Sequence, residues 1–397
     1  MSAPLDISSW WRPAHGISSG SGSGAEMTVG LLPSLGGGIR ELASTGQAPR
    51  LVDGYLRPYV RAFRRVLYFS YLPESLAEFT DDRTLLDAVE MLTPGRPTSR
   101  TRRAVSMPWV HAASFRACAV LRVFQVTGVI PAILANARFG VPYVTTYGFW
   151  YGSLSRPGPK RLVKAVVERV GLRRAAAVIA TTEELRARAA ARARRVELIP
   201  NGVDTRLFAP GAPAANPDGG RRVLYVGRLA PEKNLATLIT AAARLPGRRP
   251  RLVIVGGGPL EGSLRRQAEA ESVSADFRGV VDQRRLPELY ASADAFVLAS
   301  FTEGHPKALL EAMSSGLPCV ASDCAGNRSL VTDGATGLLF DPRRPEALTA
   351  CLHRVLTDPT LAAALGRAAR KTAIERYDLA ACVEREIALL RTVGARG

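Results

Sequence analysis

Short apolar runs alternate with amphipathic helical segments along much of this chain, and no other sequence feature constrains its fold as strongly. The residues DAFVLAS at 294–300 predict a buried parallel strand, because they form a short apolar run rich in strand-forming residues. The residues KALLEAMSSG that follow Pro306 predict a helix that ends at Gly316. The same alternation runs from Val223 to about Ala373, which indicates an α/β fold.

The length of the chain favours two domains. With 397 residues and 47% hydrophobic composition, it is globular and too long for one ordinary core. The most apolar stretch, residues 117–135, contains Arg122 and Pro131, and it predicts a strand, a turn and a helix better than a membrane span. Parallel strands are predicted in the first half at residues 65–72, 117–126, 142–148 and 175–182.

Two carboxylates, Glu303 and Glu311, flank the start of the helix that follows residues 294–300. Pro306 is predicted as its first helical residue, and the unpaired N–H groups of that turn favour an anion such as a diphosphate. Glu311 lies among apolar residues, where a buried carboxylate needs hydrogen-bond donors, and ribose hydroxyls are suitable donors. The alternative is that Glu303 only caps the helix and Glu311 lies on a solvated face.

Two cations, Arg228 and Lys233, lie between a predicted strand at 221–227 and a predicted helix at 235–245. Cations beside a helix N-terminus are electrostatically disfavoured unless an anion joins them, and a diphosphate is such an anion. The alternative is a salt bridge from Lys233 to Glu232, or a fully hydrated side chain.

Five motifs occur in order: NGVD at 201–204, VGRLAPEKN at 226–234, VGGGPL at 255–260, the strand and helix block from Asp294, and EGHPKALLE at 303–311. Together they resemble glycosyltransferase family 4. The resemblance implies a GT-B fold, in which two Rossmann-like α/β domains face each other across a nucleotide-sugar cleft. It covers residues 175–390 densely and the earlier half loosely.

The resemblance also implies the domain organisation. We expect an acceptor-side domain at 27–198, a nucleotide-sugar-binding domain at 199–375, and a C-terminal helix at 376–397 that crosses back to the first domain. Residues 196–204 are predicted as the linker. Residues 1–26 have no apolar signal region and end in a Gly/Ser tract, so they are predicted as a disordered leader or tag, with a native disordered tail as the alternative.

In this family the motif residues have defined roles, which the resemblance transfers to this chain. Arg228 and Lys233 bind the donor diphosphate, Glu303 contacts the transferred sugar, and Glu311 holds the ribose. We therefore expect Glu303, Arg228 and Lys233 to be the catalytic residues. The expected donor-binding set consists of Gly37, Gly38, Gly227, Arg228, Lys233, Gly256, Gly257, Val280, Glu303, Gly304, His305, Pro306, Lys307, Ala308, Leu309 and Glu311.

The chain departs from the family at one position. Many members carry a His near the sugar ring after the strand equivalent to residues 142–148, whereas this chain has Gly148 there. His305, within the donor motif, either donates to a sugar or phosphate oxygen or contributes only its backbone. The missing His leaves the donor sugar and the catalytic detail open.

The expected chemistry needs neither a metal nor a cofactor. The sequence has no D-x-D motif, so the charge of the leaving diphosphate must be met by Arg228, Lys233 and helix N–H groups. The family resemblance implies a retaining transfer by front-face attack. Five cysteines without a C-x2-C pair indicate neither disulfides nor zinc, and the expected location is the cytoplasm.

The formal charge of +18 calls for an anionic partner. Residues 160–174 combine a Leu/Val stripe with many cations, which is typical of a helix that lies on an anionic membrane surface, here the inner face. The alternative is that the stripe packs against the sheet of its own domain. Nucleic-acid binding is not expected, because no recognisable module accompanies the charges.

The sequence therefore predicts a retaining, metal-independent hexosyltransferase that moves a sugar from an NDP-sugar to a glycan or lipid-linked acceptor, as in polysaccharide or cell-envelope synthesis. Two alternatives remain. One is a sugar-nucleotide epimerase of the same fold, and the other is a noncatalytic basic protein that binds nucleotide sugars or membranes.

Overall fold

A computed structural model of the protein describes residues 26–95, 99–149, 159–211 and 219–396, with the side chains of residues 159 and 160 excepted. The leader predicted at residues 1–26 lies outside the described residues, apart from Glu26.

The first lobe is built on a seven-stranded parallel sheet with the order β3-β2-β1-β4-β5-β6-β7. Its central strands are buried on both faces, which explains their continuous apolar runs. The strands are β1 (Thr28–Leu32), β2 (Arg65–Phe69), β3 (Val89–Leu92), β4 (Val120–Val123), β5 (Tyr143–Tyr147), β6 (Ala177–Ala180) and β7 (Val196–Leu198).

Nine α-helices of the described chain cover the two faces of this sheet. The helices before β4 divide between the faces, and a π-helical turn at Val52–Leu56 joins α2 to α3. The helices are α1 (Ile39–Ala43), α2 (Ala48–Leu51), α3 (Arg57–Ala62), α4 (Arg83–Ala88), α5 (Arg100–Val110), α6 (Ala112–Ala117), α7 (Ile130–Phe139), α8 (Pro159–Arg174) and α9 (Glu183–Ala190).

The second lobe has a six-stranded parallel sheet with the order β10-β9-β8-β11-β12-β13 around a core of its own. Its strands are β8 (Arg222–Val226), β9 (Arg251–Val255), β10 (Ala275–Gly279), β11 (Ala295–Leu298), β12 (Cys319–Ser322) and β13 (Leu338–Phe340). Its helices are α10 (Leu235–Ala243), α11 (Glu261–Ala270), α12 (Leu286–Ala291), α13 (Lys307–Ser314), α14 (Ala325–Arg328), α15 (Pro345–Thr357) and α16 (Pro359–Tyr377).

The last helix, α17 (Leu379–Gly394), returns to the first lobe and contributes to its core. Its Glu386 forms a buried bidentate ion pair with Arg122 of β4, with both N–O distances at 2.8 Å, and also accepts a hydrogen bond from Tyr59. The two segments that cross between the lobes run side by side. The Val203 N–H donates to the Tyr377 carbonyl oxygen over 2.7 Å, and the Leu379 N–H donates to the Val203 carbonyl oxygen over 2.9 Å. The lobes are therefore joined by a paired hinge.

The predicted two-lobe α/β fold is confirmed, and the structure corrects three local predictions. Residues 196–198, expected in the linker, form the edge strand β7, and β3 is a strand that the sequence pattern does not identify. Pro306 is the N-cap of α13 with an extended backbone, so the helix begins one residue later than predicted. The predicted strands at 65–72, 117–126, 142–148 and 175–182 are confirmed with shorter bounds.

Candidate active site

The carboxyl ends of both sheets face a cleft between the lobes. In each sheet the strand order reverses at one point, between β1 and β4 in the first lobe and between β8 and β11 in the second. Ligands of open α/β sheets bind at such reversal points, because the loops on either side diverge and leave a crevice. A cavity of about 560 Å³ lies there, and residues of both lobes line it.

The loop after β8 carries Arg228 and Lys233, two of the expected donor-binding residues, to the wall of this cavity. The loop after β9 packs against this loop and requires glycine at position 256. A Cβ on Gly256 would lie 2.0 Å from the Gly227 carbonyl oxygen, and the φ of Gly256 is +125°. Gly227, Gly256, Gly257 and Val280 also line the cavity. The backbone of both loops can therefore approach a ligand closely.

Glu303 and Lys233 form an ion pair inside the cavity. The Lys233 Nζ lies 2.6 Å from Glu303 Oε1, and the Ser300 hydroxyl donates to the same oxygen over 2.6 Å. The Glu303 side chain is only 9% exposed, and the Lys233 ammonium contacts its carboxylate. The salt bridge considered for Lys233 and Glu232 is not the one that forms, because Glu232 pairs with Arg228 instead.

Arg228 lies at the rim, where its side chain is 67% exposed. Because exposed ion pairs contribute little free energy, the Arg228 guanidinium can leave Glu232 for an incoming anion with only a small loss of stability.

Glu311 is 2% exposed, so it does not lie on a solvated helix face. Tyr290 donates a hydrogen bond of 3.0 Å and Gln283 one of 3.3 Å to its two carboxylate oxygens. Burial raises the pKa of Glu311, while Arg50 and these hydrogen bonds oppose that shift. Glu311 nevertheless lines the cavity, and so does Gln47 of the first lobe.

The first turn of α13 faces the same cavity through Pro306, Lys307 and Ala308. Lys307 is exposed at the surface of the cleft, where desolvation by the surrounding walls and the neighbouring Arg50 lower its pKa. Leu309 belongs to the core of the second lobe and is not among the residues that line the cavity.

His305 lines the cavity but its ring turns toward the hinge, where it lies edge-on to Tyr377 at 5.5 Å between ring centroids. Burial, and then Arg50 and Arg376, lower the pKa of His305 to about 3, so the imidazole is neutral at ordinary pH. Within the described chain its Nδ1 atom is buried without a hydrogen-bond partner. Asn201 donates to the His305 carbonyl oxygen over 2.8 Å, which fixes the backbone to the linker.

The two lobes touch where Gly148 meets Gly304. A Cβ on Gly304 would lie 2.2 Å from the Gly148 carbonyl oxygen, whereas a Cβ on Gly148 would meet only side-chain atoms at 3.5 Å or more. Both glycines line the cavity. The position where many family members carry a His therefore contacts the Glu303 loop in this chain.

The structure places Gly37 and Gly38 away from this cavity. A Cβ on Gly38 would lie 2.4 Å from Glu74 Oε1, and the Ile39 and Arg40 backbone N–H groups donate to the Glu74 carboxylate over 2.9 and 2.8 Å. The Glu74 carboxylate thus occupies the backbone N–H groups next to Gly37 and Gly38, two residues that were expected to bind the donor. Gly38 lines a second cavity of about 190 Å³ in the first lobe, and Gly37 is among the lining residues of neither cavity.

Several lining residues were not predicted from the sequence. Ser44, Thr45, Gln47 and Phe149 of the first lobe close the cavity from the opposite side. They belong to no recognisable motif, and only the folded arrangement of the lobes brings them to the site. Arg50 was also not predicted, and only the fold brings it to the linker, where its Nη2 donates to the Gly202 carbonyl oxygen over 2.6 Å.

Over residues 26–95, 99–149, 159–211 and 219–396, no three His, Cys, Asp or Glu side chains are grouped so that they could hold a metal ion. None of the helices in those ranges has the length and apolar character needed to cross a membrane.

Comparison with known proteins gives two family matches. The model described as "Glycosyl transferases group 1" matches residues 212–372, and the model "Glycosyltransferase Family 4" matches residues 80–207. A GDP-mannose-dependent alpha-mannosyltransferase of Mycobacterium tuberculosis is 35% identical over 285 residues, which cover 65% of this chain and 72% of that protein. EpsF of Bacillus subtilis is 39% identical over 139 residues, but the match spans only 36% of its length and 32% of this chain.

Two solved structures share the two-lobed fold. A sucrose-phosphate synthase from Thermosynechococcus elongatus superposes with a TM-score of 0.78 at 22% identity and covers 94% of this chain and 100% of its own. HepE of Anabaena in complex with UDP-glucose superposes with a TM-score of 0.72 at 20% identity and covers 92% of this chain and 99% of its own.

Proposed function

This chain belongs to glycosyltransferase family 4 and has the two-domain GT-B fold, and from that premise we propose that it transfers a sugar from an NDP-sugar to an acceptor. One observation carries the proposal. The Lys233–Glu303 pair, the rim cation Arg228 and the first turn of α13 meet in one cavity at the reversal point of the second sheet. Cations, helix N–H groups and a carboxylate are what a diphosphate joined to a sugar requires.

Donor binding would use the site in three parts. Arg228, Lys233 and the start of α13 would meet the diphosphate, Glu303 would contact the hydroxyls of the transferred sugar, and Glu311 would accept from the ribose. As the bond to the leaving diphosphate breaks, negative charge grows on its oxygen. Fixed cations in a partly dry cleft stabilise that charge more than water does.

We further propose that the transfer retains the anomeric configuration and proceeds without a metal ion. Glu303 is committed to Lys233 and Ser300, which suits a positioning role better than that of a covalent nucleophile. An acceptor that attacks from the face of the departing diphosphate could then give its proton to a diphosphate oxygen.

The family relationship does not favour an epimerase, and it leaves a noncatalytic binding protein as the remaining rival. The test is to incubate the full chain with GDP-mannose, UDP-glucose and UDP-N-acetylglucosamine, with and without acceptors, and to measure released nucleotide and glycosylated product. We expect Glu303→Gln to lower transfer at least a hundredfold while donor affinity changes less than tenfold. Glu346→Gln, a surface partner of Arg244, is the matched control and should transfer normally. Full transfer by Glu303→Gln would refute the assignment.

A second part of the proposal concerns the membrane. Leu162, Val163, Val166 and Val170 on α8 are 37% to 68% exposed, so the alternative of a stripe packed on the sheet holds only for the half-buried Val167. Exposed cations lie among them, including Arg161, Lys164, Arg169 and Arg173, while Lys160 lies outside the described side chains. By contrast, Arg186, Arg188 and Arg195 on the neighbouring segment are paired with glutamates.

A second group of exposed apolar side chains lies on α5, namely Val105, Trp109 and Val110. Both α5 and α8 pack against α7. Apolar side chains flanked by cations are suited to the surface of an anionic bilayer. We propose that the protein works in the cytoplasm on the inner face of the membrane, where a lipid-linked or cell-envelope glycan acceptor is accessible. Five free cysteines, four of them buried, suit that reducing compartment.

Flotation with phosphatidylglycerol vesicles tests this part. We expect the protein to float at low salt and to be released by the double variant Val163→Ser/Val166→Ser or by Arg161→Gln/Lys164→Gln. The matched controls are Ile374→Ser, an exposed apolar residue of α16, and Arg186→Gln/Arg188→Gln. Equal flotation of the variants and controls, or flotation insensitive to salt, would contradict membrane docking through α8.

A further inference from the structure

The lobes make a second contact beside the donor cavity, apart from the one between Gly148 and Gly304. The first-lobe turn at residues 44–47 meets the second-lobe turn at residues 281–285, and residues of both turns line the cavity. The Gln283 N–H donates across this contact to the Gly46 carbonyl oxygen over 3.0 Å. The contact is therefore part of the wall that encloses a bound donor.

The two turns approach each other so closely that position 46 has no room for a side chain. A Cβ on Gly46 would lie 2.3 Å from the Val281 carbonyl oxygen, and the φ of Gly46 is +73°, in the region that favours glycine. Next to this contact, Arg284 Nη2 lies 2.8 Å from Asp53 Oδ2 and forms an ion pair between the lobes. A side chain at position 46 would push the two turns apart.

The local sequence explains why the Gln283 N–H is available to the other lobe. Asp282 caps a short helical turn at Gln283–Arg285, and its carboxylate accepts from the Arg284 N–H over 2.9 Å. The first N–H of a helical turn has no partner within that turn, so it bonds elsewhere. Here the partner is the Gly46 carbonyl oxygen of the first lobe, which fixes the backbone of Gln283 to that lobe.

The side chain of Gln283 connects this contact to Glu311. Gln283 is 4% exposed and is not among the described residues that line the donor cavity, so it reaches a ligand only through a neighbour. Its Nε2 donates to Glu311 Oε1 over 3.3 Å, and the Tyr290 hydroxyl donates to Glu311 Oε2 over 3.0 Å. A carboxylate oxygen accepts about two hydrogen bonds, so each oxygen can accept one more. Two neighbouring hydroxyls, as on a ribose, fit this arrangement.

From these contacts we infer that Gln283 is a positioning residue that transmits the lobe contact at Gly46 to Glu311, so that Glu311 recognises ribose hydroxyls fully only when the lobes touch there. This inference rests on the proposed function, in which Glu311 accepts from the donor ribose. The backbone of Gln283 is held by the first lobe and its side chain holds the carboxylate. Moving the two turns apart therefore displaces Glu311 from its place beside the ribose.

The experiment is calorimetric titration of the full chain with UDP, GDP and their 2′,3′-dideoxy analogues, which lack both ribose hydroxyls. We expect the better-bound ribonucleotide to bind at least about tenfold more tightly than its analogue, because the analogue leaves a buried carboxylate short of hydrogen bonds. Gln283→Met removes the donor and should weaken ribonucleotide binding about tenfold, but binding of the analogue less than about threefold. Gly46→Ala separates the turns without changing Gln283 and should have the same selective effect.

Two variants outside the site are matched controls. Gln267 on α11 donates to Glu271 over 2.8 Å, so Gln267→Met removes a hydrogen bond of the same kind. Gly140 has a φ of +75° and nothing within 4 Å of its Cβ position, so Gly140→Ala adds similar backbone strain without touching the other lobe. Both controls should keep the wild-type preference for the ribonucleotide.

The inference is overturned if the wild-type protein shows no such preference. It is also overturned if either Gln283→Met or Gly46→Ala keeps the preference, or weakens both ligands equally as a general loss of packing would. In all these outcomes the wild-type protein still binds a nucleoside diphosphate. A wild-type protein that binds neither UDP nor GDP would instead refute the proposed function.

Discussion

Replacing Gly304 by alanine tests the contact through which the lobes meet at the donor cavity. The added Cβ would lie 2.2 Å from the Gly148 carbonyl oxygen and 3.2 Å from Phe149 Cδ2. An ordinary van der Waals contact needs about 1 Å more separation between these atoms. Because the atoms belong to the backbone on both sides, only a movement of one lobe relative to the other can provide that separation. Gly304 does not have a positive φ, so alanine adds no backbone strain of its own.

The size of the effect follows from that displacement. A misplacement of about 1 Å at a reacting centre costs roughly a hundredfold in rate. The lobes are separately packed, so the free energy of unfolding should fall by no more than about 1–2 kcal/mol. We therefore expect kcat/KM for sugar transfer to drop about a hundredfold in Gly304→Ala, with a thermal midpoint close to that of the wild type.

Gly148→Ala is the matched control, because its Cβ would meet nothing closer than 3.5 Å. It should retain at least half of the wild-type kcat/KM. Steady-state kinetics and thermal unfolding of the two variants decide the matter. Wild-type kinetics in Gly304→Ala, or equal losses in both variants, would refute the reasoning that lobe contact at Gly304 positions the donor.

Three further predictions concern charge. Lys233→Met removes the cation bound to Glu303 and should weaken NDP-sugar binding by about 1.5–3 kcal/mol, measured by calorimetry, whereas Lys371→Met on the surface of α16 should not. Arg122→Met leaves Glu386 buried without its arginine partner and should lower the free energy of urea unfolding by about 3–5 kcal/mol. The double variant Arg122→Met/Glu386→Leu should recover much of this loss, and wild-type stability of the single variant would contradict the prediction. The pKa of His305 is about 3 in the folded protein and 6.5 in the unfolded chain, so between these pH values the unfolded chain binds one more proton. The free energy of unfolding therefore falls as the pH is lowered from 6.5 toward 3, by up to about 1.4 kcal/mol per pH unit from this group. His305→Phe should flatten that part of the stability profile, and an unchanged slope would argue against a buried neutral imidazole.

Much of the fold was predictable because buried parallel strands leave continuous apolar runs in the sequence. Edge strands are the exception. The β3 residues VEML are mostly half-buried, and β7 is only three residues long, with Pro200 and Asn201 shortly after it, so neither carries the pattern of a central strand. Pairing with β2 and β6, which depends on the whole sheet, makes them strands.

The second-lobe part of the site was predictable for a different reason. Its residues lie mostly in the short loops that directly follow β8, β9 and β11. Each of these loops is one sequence motif that brings several residues to the same edge of the sheet. The first-lobe residues of the donor cavity come from two distant segments, residues 44–47 and 148–149, and no local spacing connects them. Their convergence depends on tertiary packing alone.

Two side-chain arrangements also depend on distant residues. Gly37 and Gly38 were expected to bind the donor, but Glu74, more than thirty residues away in the sequence, occupies the adjacent backbone N–H groups. His305 turns toward Tyr377 because the hinge brings α16 against the donor loop. Neither contact can be inferred from the residues that surround the motif in the sequence.

Calorimetric titration of the full chain with GDP-mannose, UDP-glucose, UDP-N-acetylglucosamine and the corresponding nucleoside monophosphates tests the central claim most directly, namely that the second-lobe cavity holds the diphosphate of an NDP-sugar. We predict one-to-one binding of at least one NDP-sugar, at least tenfold tighter than its monophosphate, and a loss of that preference in Lys233→Met. Equal affinity for the diphosphate and monophosphate ligands, or no heat of binding with any of them, would contradict the claim.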